Sequence, residues 1–241
     1  MTDFVELWVY LASTPLFGLT ATLVVYVLAH AAYERLQQAP WANPVLWTVL
    51  TLAVVLLATG VSYPTYFAGA QFIHFLLGPA VVALAWPLWE RRTELRRRWR
   101  VLLLAALAGG IAASGSALAL GWVMGLPPDI LLSLAPKSVT APVAMGIADK
   151  IGGIPALAAV FTVITGMVGA LSGKYLFDAL RIPRSRAGWM ARGFALGTAA
   201  HGIGAARALQ VNSDAGAYAG LALGLQVILA SLLMPLAFRF F

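Results

Sequence analysis

Lys137, Ser138 and Thr140 stand between two prolines, Pro136 and Pro142, in a stretch of chain that is otherwise almost all apolar. An ammonium at membrane depth is expensive, so such a group faces a cavity, a partner or a substrate, or else snorkels to an interface. Ser138 and Thr140 have side chains able to cap a following half-helix, and Pro142 fits its first turn, where a missing amide hydrogen costs little. The positive end of that helix, beside a lysine, favours an anion. A second set is His201 and Arg207, six residues apart in a run of glycines and alanines. That spacing does not share one helical face, so a backbone break at Gly202 or Gly204 is needed to bring both to one cavity. Arginine grips a carboxylate bidentately, and histidine titrates near neutral pH and could couple transport to protons. The plainer alternative is a packed, hydrogen-bonded histidine and an arginine anchored at the interface. The small residues decide nothing alone, since they commonly let membrane helices pack closely.

The elements that must hold these residues are membrane helices. Of 241 residues 61% are hydrophobic and 10% charged, with mean hydropathy +0.86, more apolar surface than a soluble domain of this length can cover. Apolar stretches fall near residues 14–30, 45–61, 72–89, 101–126, 154–173 and 215–238. Each is long enough for a hydrocarbon core of roughly 30 Å. Asp3 and Glu6 near the start, with no basic stretch ahead of an apolar core, argue against a cleavable signal peptide. There is no cysteine, hence no disulfide, thiolate ligand or cysteine nucleophile. The net charge of +7 is concentrated in Arg91, Arg92, Arg96, Arg97, Arg98 and Arg100, which read as a cytoplasmic loop obeying the positive-inside rule and not as a nucleic-acid surface. Tryptophans and tyrosines crowd the segment ends as an aromatic belt. No acidic or histidine cluster has metal-site spacing and no Ser-His-Asp set stands out, so the chain is not expected to be an enzyme.

With the arginine loop inside, the N-terminus is outside, 14–33 runs inward, 45–61 outward, 64–90 inward and 101–123 outward. If 127–150 crossed fully, Lys174, Arg181, Arg184, Arg186 and Arg192 would face outward, against the rule. A re-entrant hairpin at 127–150 removes the conflict, and a second at 188–210 leaves 215–238 to run outward. Hairpin plus helix, twice and inverted, is how many secondary transporters build a central site. The expected fold is therefore an all-α polytopic bundle with broken or re-entrant helices and inverted repeats. It is one membrane domain, scaffold-like over 1–126 and motif-bearing over 127–241, with a further break expected near Gly78-Pro79. Asp149 and Lys150, followed by Gly152-Gly153, read as a helix end at the water interface. His30 is expected to be interfacial, and His74 is a candidate for lining the cavity.

Three stretches together are specific: Pro136 to Met145 (PKSVTAPVAM), Ile151 to Leu157 (IGGIPAL) and Arg192 to Ala208 (RGFALGTAAHGIGAARA). With Thr14 to Gly18, Asn43-Pro44-Val45 and Phe75 to Ala80 earlier in the chain, they resemble the LrgB/CidB family of bacterial membrane proteins over nearly the whole length. The resemblance implies either of two functions. One is antiholin-like control of murein hydrolase export and lysis beside a small LrgA/CidA-type membrane partner. The other is carriage of small monocarboxylates, as in the plastid glycolate/glycerate transporter whose C-terminal part is similar to this family; pyruvate is linked to bacterial members. Lys137, Ser138, Thr140, His201 and Arg207 fall in the motif stretches and are the expected substrate-binding residues. Pro79, Pro136, Pro142, Gly202 and Gly204 are the expected breaks. Many members have glutamate after the Met145 equivalent, where this chain has Gly146, so no carboxylate can couple protons there. No cofactor is expected beyond a coupled proton or cation. The expected setting is the bacterial inner membrane, as a homodimer.

Overall fold

The computed structural model describes residues 15–76, 79, 89 and 92–239, and all regular structure among them is helical. They fall in two compact units, residues 1–83 and 84–241. The expectations for the N-terminal residues and for the break at Gly78-Pro79 lie outside the described residues, Pro79 itself being the one helical position placed there.

The first unit contains α1 (Pro15–Arg35), a short 3-10 turn (Pro40–Ala42), α2 (Pro44–Thr59) and α3 (Tyr63–Phe75). Asn43 starts α2 by accepting from the amides of Val45 and Leu46 at 3.0 and 3.1 Å, with Pro44 in the first turn. Gly60, at φ 66°, ends it. α1 and α3 touch backbone to backbone at Gly18, where a Cβ would collide with the Tyr66 carbonyl, and Thr22 and Tyr66 share a hydroxyl hydrogen bond of 2.7 Å.

The second unit contains α4 (Arg92–Val123), α5 (Pro128–Leu134), α6 (Ala141–Ile151), α7 (Pro155–Ala179), α8 (Arg186–Val211) and α9 (Ser213–Ala237). Of the arginines expected in a loop, Arg92, Arg96, Arg97, Arg98 and Arg100 lie in the first turns of α4, whose 32 residues span about 48 Å, more than a bilayer core needs. Four helices, α1, α4, α7 and α9, are long and apolar enough to cross a membrane. Their outer surfaces need lipid: Leu16 is 69%, Val123 75% and Ile111 71% exposed.

Two excursions leave this frame and return to it. From Ser133 the chain runs through a six-residue connection and α6, then comes back, because the Ile154 amide donates to Ser133 Oγ at 2.7 Å. From Arg186 it runs through α8 and returns at Asp214, 3.8 Å from the Arg186 guanidinium. α8 is not one straight helix. Ala200 and His201 leave helical geometry, His201 at φ 41° and ψ −135°, a region where only glycine is at ease. A Cβ on Gly204 would lie 2.7 Å from the Leu196 carbonyl oxygen. In a straight helix those residues would be about 12 Å apart along the axis, so the pieces 186–199 and 202–211 fold back on each other. The break comes before Gly202 and Gly204, at the adjacent Ala200-His201, which corrects the expected position. Gly202 has open space around its Cα, so nothing there requires glycine.

The packing fixes directions within this unit. Gly193 meets Ala215 and Gly197 meets Ala219, so the first piece of α8 runs parallel to α9. Gly166 meets His201, Gly169 meets Ala200 and Gly173 meets Leu196, so it runs antiparallel to α7. Gly193 and Gly197 bring backbones together without side chains between them, whereas Gly166, Gly169 and Gly173 leave room for the side chains of His201, Ala200 and Leu196. The first excursion packs on the start of α7 and the end of α9, in a core of Ala135, Val139, Ala144, Ile147, Ala158 and Ala230. The second packs on the end of α7 and the start of α9, through Phe177, Leu196, Ala205, Ala208, Ala215 and Ala219.

Candidate functional site

The two excursions approach the same stretch of α4. Ser114 Oγ donates to the Ala135 carbonyl at 2.8 Å, and a Cβ on Gly109 would lie 2.7 Å from the Thr198 methyl. Five residues separate those contacts, about 7.5 Å along the helix. Beside the second of them lies Gln226 of α9, 4% exposed, which donates to the Ala106 carbonyl at 2.5 Å and fills the space beside Gly110. The middle of this unit is therefore a polar layer inside apolar helices.

At the first tip, Pro136 is fully buried and Ser138 is 5% exposed. Lys137 is half-buried and donates to Ser138 Oγ at 3.3 Å. Thr140 stands at the N-cap position of α6, with Pro142 in the first turn, as the sequence requires. Its hydroxyl makes no cap hydrogen bond, however, and Ser138 is engaged with the lysine, so capping by either side chain is not what the structure uses. α6 ends at Gly152, φ 89°, beside exposed Asp149 and Lys150, the helix end the sequence suggested.

At the second tip, His201 is 4% exposed and its Nε2 lies 2.8 Å from the Thr162 carbonyl of α7. The ring sits so close to Gly166 that a Cβ there would be 2.7 Å from it. Arg207, 8% exposed, lies six residues further along, about 9 Å down the returning piece. Lys137 and Ser138 are brought together; Lys137 and His201 occupy different tips that share α4 as a neighbour. His30 belongs to the first unit, stacked on Tyr26 with ring centroids 6.0 Å apart. The expectation for the His74 side chain falls outside the described residues.

Sequence reasoning missed Thr162, Thr198 and Gln226. The signal was there, since each is a polar side chain inside an apolar segment, but hydroxyls in membrane helices usually bond to their own backbone. It also missed the anchor at the base of the second excursion. Arg192, 5% exposed, donates to Asp178 at 2.9 Å and to the Ile182 carbonyl, and lies over the rings of Trp189 and Phe177. Arg184 takes the other Asp178 oxygen at 2.9 Å. A cleft of about 160 Å³ between α4 and α9 is apolar apart from Gln226 and Ser114, unsuited to a charged ligand. Among the described residues, no three His, Asp or Glu side chains are placed to hold a metal ion.

Apolar crossing helices around a buried polar layer define a multi-pass membrane protein. The chain belongs to the LrgB-like family, whose family model matches residues 22–240. It is 35% identical over 215 residues to the protein YxaC of Bacillus subtilis, covering 89% of this chain and 91% of the relative. It is 33% identical over 197 residues to an uncharacterized protein of Haemophilus influenzae, covering 82% and 84%. It is 30% identical over 223 residues to the holin-like protein CidB of Staphylococcus aureus, covering 91% and 94%. No solved structure matches the chain.

Proposed function

We propose that the chain carries small organic monocarboxylates, of the glycolate, glycerate, lactate or pyruvate type, across the bacterial inner membrane. The observation that carries this reading is the approach of two folded-back segments, from opposite ends of α7, to one stretch of α4 with Lys137 and His201 at their tips. The N-termini of α6 and of the returning piece of α8 lie at those tips, and helix N-termini favour anions. Each segment is followed by a helix of 25 residues, which supports the inverted-repeat reading in which both segments are re-entrant. In this reading Lys137 attracts the carboxylate, Ser138 and Thr140 supply hydroxyl contacts, Arg207 holds the positive potential of the second tip, and the N-terminus is outside.

The test is uptake of radiolabelled glycolate and pyruvate into liposomes, with and without a pH gradient. Saturable uptake lost in Lys137→Ala, while Lys137→Arg retains part of it, is expected; uptake unchanged in Lys137→Ala overturns the site. Arg207 is tested as Arg207→Lys, which keeps the buried charge and separates loss of grip from loss of fold.

The name of the Staphylococcus aureus relative favours a second reading, a regulatory membrane subunit acting beside a small LrgA/CidA-type partner in control of murein hydrolase export. It predicts a stable hetero-complex and a lysis phenotype indifferent to Lys137→Ala. A homodimer fits either reading, and cross-linking in native membranes tests it.

A further inference from the structure

We propose that this chain binds an anionic phospholipid, with the phosphate on Arg96 and Arg100 at the start of α4 and one acyl chain in the cleft between α4 and α9. The site is independent of whether the chain is a carrier or a regulatory subunit.

The two parts of the site share one face of α4. Seven residues are close to two helical turns, so Arg96, Leu103 and Gly110 line up along the helix, as do Arg100, Leu107 and Ser114. Leu107, Gly110 and Ser114 line the cleft, and α9 closes it with Leu229, Leu233 and Met234. The two helices run parallel, since Leu102 packs with Tyr218 and, further along both, the Ala106 carbonyl accepts from Gln226. The arginine end of α4 is therefore the end at which α9 begins, and the cleft opens at Ala106, six residues or about 9 Å beyond Arg100. Gln226 and Ser114, the polar side chains in its wall, already donate to the Ala106 and Ala135 carbonyls, so the rest of the cleft suits hydrocarbon.

The depth of the two arginines suits a headgroup. The apolar run of α4 starts at Val101, and Arg100 and Arg96 stand about 1.5 and 7.5 Å before it along the axis. Headgroup layers add roughly 5–7 Å on each side of the hydrocarbon core. Both side chains are exposed, and helical side chains lean toward the N-terminus, here away from the core. Trp99, 54% exposed and with its ring 5.5 Å from the Arg100 guanidinium, marks the same interface. Residues 90–100 hold six arginines against two glutamates, a net charge of +4, and Asp214 at the start of α9 is paired with Arg186. The field over the cleft is therefore positive, which selects an anionic headgroup over a zwitterionic one, and the guanidinium fork matches phosphate oxygens. The positive-inside rule asks only for charge at this end of the helix; it does not ask for two arginines in line with an apolar cleft.

The experiment is thermal unfolding of the purified full chain in zwitterionic mixed micelles, titrated with phosphatidylglycerol, with phosphatidylcholine and water-soluble glycerol 3-phosphate as parallel arms. A saturable rise in melting temperature is expected with phosphatidylglycerol and with neither of the others, since one lacks net charge and the other lacks a chain. Each arginine near an anionic surface is worth about fivefold in affinity, so Arg96→Gln with Arg100→Gln should raise the half-saturating mole fraction about 30-fold. Arg181→Gln, exposed on the connection after α7, should leave it in place. Leu233→Trp, at a cleft position 45% exposed and so free to take a larger ring, should weaken binding without touching charge. Equal rises with both phospholipids, or equal losses in Arg181→Gln and the double variant, would overturn the proposal in favour of a diffuse surface effect. A phosphatidylglycerol response untouched by Leu233→Trp would remove the acyl chain from the cleft, and loss of a dimer in that variant would assign the cleft to a second copy of the chain.

Discussion

Alanine substitution at glycine should change sign along this chain, and the structure says where. At Gly193 an added Cβ would collide with the carbonyl and Cα of Ala215, and at Gly197 with those of Ala219. Both obstacles are backbone, so the helices must move apart; overpacking of this kind costs about 1–3 kcal/mol. At Gly224 of α9 and Gly146 of α6 an added Cβ meets nothing within 4 Å, and alanine gains about 1 kcal/mol of helix propensity. The two classes should therefore differ by about 2–4 kcal/mol for one chemical change. Gly193 and Gly197 are one turn apart on the same contact, so once the first substitution has separated the helices the second meets less resistance, and the double variant should fall short of the sum. The assay is equilibrium unfolding in mixed micelles. If Gly193→Ala and Gly197→Ala match Gly224→Ala within about 0.5 kcal/mol, the close parallel packing of α8 on α9 is wrong.

Three further outcomes are expected. His201→Gly relieves a strained backbone and loses one hydrogen bond, whereas His201→Ala loses the bond and keeps the strain, so the alanine variant should be less stable by about 1–3 kcal/mol in the same assay; equal stabilities would refute the backbone assignment. Ser133→Ala leaves the Ile154 amide without its acceptor and should cost about 1–3 kcal/mol, with faster proteolysis between residues 134 and 153. Asp178→Asn should destabilise more than Arg192→Met, because it strands a guanidinium whose side chain is 6% exposed, whereas the methionine leaves a carboxylate that is 36% exposed and still paired with Arg184. The reverse order would mean that the anchor is held by ring packing and not by charge.

The membrane class and four of the six expected crossing segments, those at α1, α4, α7 and α9, were legible in sequence because each leaves a compositional trace; the stretch 45–61 forms the shorter α2, and most of 72–89 lies outside the described residues. Proline flanking Lys137 marks the connection between α5 and α6, and the basic residues after α7 restrict which segments can cross. The break in α8 was legible only to within a few residues. Glycines are the usual sign of a break, yet Gly204 is needed for close approach to Leu196, and the reversal falls on a histidine that sequence rules would keep helical. The polar layer was harder still. Thr162, Thr198 and Gln226 come from three helices, and only folding brings them near the tips. Arg192 was read as one more cytoplasmic charge, since sequence does not say that Asp178, fourteen residues earlier, will sit against it.

The way both tips hang on α7 constrains how access to them can change. The first is tied to α7 by the Ser133 bond to Ile154, and the second by the imidazole on Thr162, by Gly169 and Gly173, and by the Arg192 anchor at its base. Only eight residues, about 12 Å of helix, separate Ile154 from Thr162, and a helix segment of that length without an internal proline bends little. The spacing between the tips is therefore nearly fixed. Opening a path by parting them would break the buried contacts of both with α7, whereas moving them together past α4 breaks only the Ser114 bond to Ala135 and the Gly109 contact with Thr198. A disulfide between Gly173→Cys and Leu196→Cys tests this, since Leu196 Cγ lies 3.9 Å from where a Cβ on residue 173 would be. The oxidised variant should transport like the reduced one, because α7 and the second segment travel as a unit; uptake that disappears on oxidation and returns on reduction would show that the two must slide past each other.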